Sequence, residues 1–562
     1  MIESKPNSTL NRLILIGPAA VTLLVFSQGV TDPVNVTKFF AIGVLAFGMF
    51  FAVTVHPIRS FWSENKFVLI LLMGFSAASV NALINSDAPI SQSLYGVYGR
   101  NNGFLLYVFL ILIFLSTLHS KDTKSHINLV KSLKFAGYVN LIYCLWVITF
   151  GDFIGWSNPY GNILGTLGNP NFIGAFLGMF SSILISFSIA NRKDVKKLSL
   201  YLVFLTITLF EIYKSHAIQG RVLFVAGLLI NLIFWIKVRF SRTIFTLIAI
   251  VISAAIAITG ILGALQKGPF ASLLYKDSVS LRGQYWYAGL QMGIHNLWSG
   301  VGFDSYGDWY RYFRRPSALI RPGVDTVSNT AHNVYIDLFA FGGLPLILTY
   351  VALNIYVFIS ILKIFTRTKE FDLTFISLSS AWICYQLQSI ISINQVGLAI
   401  WGWILGASLV AYCRTTRSAI APRLSRGHKN DSGTIITSSL RAGLGLLVGA
   451  MIAVPPLSSD MQWRSAQLSQ NASVVEKVLI STYLNPANTF KTVNIVGAFH
   501  ESGIDDLAYL YAKKAVKDNP NNFESWRLLT LIRQSQETDR ELALKEMKRL
   551  DPLNPEISLI AR

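Results

Sequence analysis

The residues of this chain best suited to chemistry are cations set in short polar strings. Arg100 lies in LYGVYGRNNG (94–103), and Lys214, His216 and Arg221 lie in KSHAIQGR (214–221). Arg282 lies in SLRGQYWYAG (280–289) and His332 in SNTAHNVYIDLFAFGGLP (328–345). A guanidinium fork pairs phosphate oxygens bidentately, so several arginines converging on one place suit an anion such as a diphosphate. A histidine beside them is a candidate proton acceptor or donor. Each residue also has a plainer reading. Arg100 and Arg221 could snorkel to lipid headgroups, His332 could be a helix-entry histidine bonded to its own loop, and Tyr and Trp could form an interfacial belt. The glycines of GVGFDSYG (300–307) do not follow G-x-x-x-x-G-K-[ST], so no nucleotide site is read there. No H-E-x-x-H, G-x-S-x-G or spaced carboxylate cluster occurs, and the three cysteines (Cys144, Cys384, Cys413) form no C-x-x-C pair. The expectation is a site with no metal and no cofactor.

Those strings must be held by elements that the composition identifies as membrane helices. Of 562 residues, 52% are hydrophobic and only 14% charged, whereas a soluble domain has about a quarter charged. Thirteen apolar runs long enough for helical spans lie near 12–30, 38–56, 66–84, 103–119, 129–150, 170–190, 198–214, 221–238, 243–264, 332–362, 372–390, 395–412 and 436–454. The first, Leu13 to Val30, is too long for a signal-peptide core and lacks a small-residue cleavage site. The formal net charge of +19 would suggest nucleic acid in a soluble protein. Here Lys and Arg instead cluster in alternate short connections: Arg59 and Lys66; Lys121 and Lys124; Arg192 to Lys197; Lys237, Arg239 and Arg242; Lys363, Arg367 and Lys369; Arg414 to Lys429. This positive-inside pattern places the N-terminus in the cytoplasm and, with thirteen spans, the C-terminus outside. No nucleic-acid partner is expected.

Two outer segments stand out. Residues 265–331 form a long loop rich in aromatic and basic residues, and loops of that length are usually functional. From Pro455 the chain turns polar, which divides it into a membrane domain (1–454) and an extracytoplasmic tail (455–562). The tail repeats. NPAN starts at Asn485, NPNN at Asn519 and DPLN at Asp551, spacings of 519 − 485 = 34 and 551 − 519 = 32 residues, with helical patterns between them. A Pro-terminated helix pair of that period, with Ala512 and Ala515, resembles the tetratricopeptide repeat, which usually binds partner proteins. The alternative is a helical hairpin packed on the membrane domain. The fold expected is therefore all-α and polytopic, with a small helical-repeat domain behind about thirteen transmembrane helices.

The strings together resemble the O-antigen ligase and polymerase superfamily of bacterial envelope glycosyltransferases. The matching pieces are YGVYGRNNG (95–103), GTLGNPNFIGAFL (165–177), QGRVLFVAG (219–227), LRGQYWYAGLQMGIHNLWSGVGFDSY (281–306), AHNVYIDLFAFGGLPLI (331–347) and QSIISINQVGLAIWGW (388–403). The resemblance implies an inverting, metal-independent glycosyltransferase of the inner membrane. Such an enzyme takes a glycan from an undecaprenyl-diphosphate donor and passes it to a glycolipid, glycan or protein acceptor outside. It implies that Arg221 and Arg282, with Arg100, hold the diphosphate, and that His332 acts on the acceptor hydroxyl. Many relatives read Ser-Arg-Gly where this chain has Gln219-Gly220-Arg221, so Lys214 or His216 could share the role of Arg221. Within the same class stand a polymerase of lipid-linked repeat units and an O-linked protein glycosyltransferase. From another class stands a transporter or flippase, which predicts internal repeats and midplane charges that the sequence does not display.

Overall fold

The computed structural model describes residues 8–53, 58–120, 122–240, 243–264, 267–268, 271–274, 281–420, 433–469 and 471–557. Of the basic residues that orient the chain, Lys121, Arg242, Arg423, Arg426 and Lys429 lie outside them. The described residues are all-α, with one isolated bridge between Thr482 and Asn485 and no strand.

The membrane part runs α1 Ser8–Leu23, α2 Asn35–Val53, α3 Ile58–Ile84, α4 Ile90–Tyr95, α5 Phe104–Leu118, α6 Thr123–Phe150, α7 Pro170–Ala190, α8 Val195–Lys214, α9 Ile218–Arg239 and α10 Thr243–Ala264. The long loop 265–331 contributes α11 Arg282–His295 and α12 Tyr306–Phe313, followed by α13 Val334–Arg367, α14 Leu373–Ser389, α15 Val396–Ile420 and α16 Gly433–Ser469. The tail holds α17 Ala472–Lys477, α18 Thr489–Glu501, α19 Asp505–Asp518, α20 Phe523–Leu531 and α21 Glu537–Leu550. Each of the thirteen apolar runs overlaps a helix, but the first stops at Leu23, and α8 and α14, expected as spans, are not among the helices long and apolar enough to cross. Among the described residues nine helices (α2, α3, α6, α7, α9, α10, α13, α15 and α16) are long and apolar enough to cross a membrane, and α1 and α5 are shorter apolar helices. In hydrocarbon only a helix satisfies its own backbone, so such runs have few alternatives. Polar side chains set the starts. Asp122, Asp194 and Asp372 accept the N–H groups of Ser125, Lys197 and Phe375 at 2.9, 3.1 and 3.0 Å. The helix α15 is buried throughout its most apolar stretch and forms the centre of the bundle, where Trp401 donates to Thr22 Oγ1 at 2.8 Å. The outer faces of α10 leave Val251, Ile252 and Ile258 exposed, as a lipid-facing helix requires.

Two helix irregularities shape the end of the bundle that carries the long loop and the tail. α13 breaks at Gly343, whose φ of 65° is left-handed and whose missing Cβ would sit 2.2 Å from the Leu297 carbonyl. Val301 N–H takes the Ala340 carbonyl at 2.8 Å and Gly302 N–H takes that of Phe341 at 3.1 Å, so the loop behind α11 is stitched to this break. The second irregularity is α16, which runs through Pro455 and Pro456 to Ser469. The boundary expected at residue 455 therefore falls inside a helix. Proline 455 cannot donate to the carbonyl four residues back, that of Met451. The Tyr483 hydroxyl donates to that carbonyl instead, which meets part of the cost of continuing the helix.

The tail has its own core, built on Val496, Phe499, Ala512, Leu529, Ala543 and Met547. It also packs on the membrane part, through the first residue of each repeated string. Asn485 accepts from Ser459 on α16 at 2.7 Å. Asn519 and Asn522 donate to Asp308 on α12, at 3.3 Å each, beside Gln92, which donates to the same carboxylate at 2.9 Å. Asp551 is fully buried and pairs with Arg314 at 2.6 Å and Arg311 at 3.3 Å. Arg311 also reaches Glu524 at 2.8 Å. The string-bearing turns are thus occupied within the chain. Removing one partner of a buried ion pair strands the other charge, at about 3–5 kcal/mol. Asp551→Ala is therefore expected to lower the midpoint of thermal unfolding in detergent by several degrees and to expose the 306–314 segment to protease. An unchanged midpoint and digest would show that this cluster does not hold the tail.

Candidate active site

Loops from separate parts of the bundle meet around one cavity of about 810 Å³. Its wall takes residues from 27–35, 98–100, 155–172, Gln219, Arg282, Asn329, His332 and 392–395, and from Arg464 on α16. Arg100, Arg282 and His332, which the sequence singled out, all line it.

His332 is presented by the start of α13. Asn333 caps that helix, its Oδ1 accepting the N–H groups of Tyr335 (3.0 Å) and Ile336 (3.2 Å). Asp337, one turn in, accepts the Ala331 N–H at 2.7 Å and the Thr330 hydroxyl. Thr330 Oγ1 in turn accepts the His332 N–H at 3.1 Å. These bonds hold His332 at φ 55°, a left-handed conformation that costs about 1–3 kcal/mol in a residue other than glycine. Asn101 (φ 56°) and Asp304 (φ 52°) share it, so three of the four such residues among those described cluster here, the fourth being His216.

Arg100 lies in a loop held from behind. The Asp304 carboxylate accepts the N–H of Val97 at 2.8 Å and of Asn102 at 3.2 Å, bracketing the arginine. Burial raises the Asp304 carboxyl to about 6, against those two bonds and the charge of Arg100. Arg282 opens α11 and is only 8% exposed. Tyr285, on the same face three residues on, stacks on the His332 ring at 5.7 Å between centroids. The Tyr306 hydroxyl donates to the Tyr285 carbonyl and locks this turn.

The electrostatics follow from this packing. Burial weakens the proton hold of both guanidiniums, and Asp304 and Asp337 partly restore it for Arg100. Neither arginine forms an ion pair among the described residues, and Arg100 Nη1 is buried without a hydrogen-bond partner. His332 is pushed down to about 3, by burial first and then by the charges of Arg100 and Arg282. At neutral pH the site therefore holds two cations with free donor capacity beside a neutral imidazole. Among the described residues no three His, Cys, Asp or Glu side chains gather as a metal-ligand set.

Arg221 does not line the cavity. It is exposed at the start of α9, 5.7 Å from the centre of the Tyr213 ring, and Lys214 and His216 are exposed as well. Gln219 reaches the cavity instead, its amide donating to the Ile391 carbonyl at 3.2 Å. The intervening Gly220 decides this phase. A Cβ there would lie 2.6 Å from the Gly174 carbonyl, so α9 enters tight against α7. Trp156, Tyr160, Asn169 and Gln395 also line the wall and were not singled out from sequence, although 169 and 395 fall within the quoted strings.

The pH dependence tests this arrangement. In kcat/KM, the free enzyme's base sets the acid limb. Arg100→Gln removes a positive neighbour that disfavours protonated His332, so that limb is expected to move upward from about 3, part of the way toward 6.5. Burial, the larger cause, remains. A limb that stays in place, or moves down, would show that Arg100 does not act on the histidine.

A protein-family model described as O-Antigen ligase matches residues 200–351, from α8 into α13, a stretch that contains Arg282 and His332. No curated protein sequence matches the chain. The match does not reach the tail. Residues 200–351 of this multi-pass membrane protein, the stretch that brings Arg282 and His332 to the cavity wall, are thus similar to the O-Antigen ligase family.

Proposed function

We propose that the chain is an inverting glycan ligase. It transfers a glycan from an undecaprenyl-diphosphate donor to an acceptor hydroxyl on the outer side of the inner membrane. The observation that carries this reading is the joint placement of Arg100, Arg282 and His332 on one cavity wall, the arginines unpaired and the histidine neutral. The two guanidiniums take the diphosphate oxygens. His332 accepts the proton of the acceptor hydroxyl as its oxygen bonds to the anomeric carbon, and the bond from that carbon to the diphosphate breaks with its electron pair on the leaving oxygen. Fixed cations at the departing diphosphate stabilise its growing charge without a metal. Donor arrival also readies the base. The diphosphate offsets the arginine charges that depress His332, so its proton affinity rises once the donor is bound. Trp156 and Tyr160 offer aromatic faces on the same wall to the sugar rings.

Thirteen spans with an inside N-terminus put this cavity outside, opposite the Lys/Arg-rich connections. In intact cells, a cysteine probe near Asn521 is expected to be labelled by an impermeant reagent and one near Lys193 to be spared. The reverse pattern would place the arginines in the cytoplasm and remove the reading.

The roles separate in kinetics. Arg282→Lys is expected to restore little, because a point charge cannot reproduce the bidentate fork. His332→Ala is expected to lower kcat by about 10²-fold or more with donor affinity nearly intact. Membrane abundance and thermal stability are to be recorded for both variants. His332→Ala at normal abundance, with activity within about twofold of the parent, would end the catalytic assignment.

A further inference from the structure

The cavity wall contains one more cation, Arg464, which lies outside the matched stretch and on the helix leading into the tail. Residues 460, 464 and 467 of α16 share a face at helical spacing. Asp460 Oδ2 accepts the N–H groups of Thr31 at 2.7 Å and Asp32 at 3.0 Å, and Gln467 accepts the Thr31 hydroxyl at 3.4 Å. These contacts press that face onto the 27–35 segment of the wall, and Arg464, between them, reaches the cavity. The neighbouring Trp463 stacks on Tyr98 at 5.8 Å and 14°, two residues before Arg100, so the same helix also abuts the Arg100 loop.

The charge count shows what Arg464 adds. The charged side chains on the wall are Arg100, Arg282, Arg464 and Asp32, with His332 neutral, so 3 − 1 leaves an excess of two positive charges. Asp32 is already engaged, accepting the N–H groups of Val34 and Asn35 at 3.0 and 2.9 Å and the Asn35 amide at 3.1 Å. Arg464 forms no ion pair among the described residues. A diphosphate esterified at both ends carries one negative charge on each phosphate, which this excess matches.

Resting on the reading of this cavity as the donor site, we infer that Arg464 is a further phosphate-binding residue, so that the helix carrying the tail completes the donor site. The same guanidinium chemistry would suit a phospholipid headgroup, and the experiment separates the two. Undecaprenyl diphosphate is titrated into purified full-length protein in phospholipid-free detergent, for the parent, Arg464→Ala, Arg464→Lys and Arg282→Ala, with thermal midpoints measured alongside. Arg464→Ala is expected to weaken binding about tenfold at an unchanged midpoint, the size of one lost charge-assisted contact, and Arg464→Lys to recover part of it. Full affinity for Arg464→Ala in detergent overturns the inference, and a loss appearing only in phospholipid nanodiscs assigns the residue to a headgroup and overturns it too. If Arg282→Ala weakens binding while Arg464→Ala does not, this inference alone falls. If neither does, the donor-site reading falls with it.

Discussion

Two guanidiniums, Arg100 half-buried and Arg282 buried, are held beside one histidine without a carboxylate bonded to either. That placement is electrostatically uphill, since burying unpaired charge is among the costliest things a fold does. The surrounding structure bears the cost by restraining backbone rather than by neutralising side chains. Asp304 and Asp337 lie close enough to Arg100 to favour its charge, yet they spend hydrogen bonds on Val97, Asn102 and Ala331 N–H groups. The arginine forks stay open for phosphate oxygens as a result. The same two carboxylates hold loops whose residues sit at positive φ, so backbone strain and open charge occur in one place, as functional sites commonly show.

The tail belongs to this system of restraint. Asp308 on α12 accepts from tail Asn519 and Asn522 on one side and from Gln92 of α4 on the other. Gln92 also donates to the Asp304 carbonyl at 3.3 Å, and Asp304 holds the Arg100 loop. A continuous hydrogen-bonded path therefore joins the repeated strings to a cavity-lining arginine. Asp551 closes over Arg311 and Arg314, whose guanidiniums both donate to the Val324 carbonyl, and so pins the 306–324 segment. The asparagines and the aspartate of the strings thus bond within the chain, to α12 and α16.

Much of the fold was legible because lipid leaves a chain little choice. An apolar run of about 20 residues has to close its hydrogen bonds within itself, so composition and length are enough to place the helices. Arg100, Arg282 and His332 stood out for a related reason: basic residues and a histidine lay in short polar strings apart from the Lys/Arg-rich connections. Arg221 shows where this reasoning ends. It stands two residues from Gln219, roughly 200° around a helix, so one of the two faces the cavity and the other does not. Only the seating of Gly220 against Gly174 decides which. Pro455 and Pro456 read as a domain boundary, but a tyrosine 28 residues beyond Pro455 (483 − 455) supplies the donor that lets the helix pass.

Local composition and short spacing suffice for an all-helical membrane protein, the order of its helices, the cationic strings and the repeated tail. Which strings converge follows from long-range packing. It brought residue 100 to residues 282 and 332, turned Arg221 away, and set Arg464 and Asp32 on the same wall. It also turned the repeated strings inward onto α12 and α16. These outcomes rest on helix phase, on close backbone contacts and on hydrogen bonds between residues hundreds of positions apart, such as Asn519 to Asp308. No window of neighbouring residues contains them.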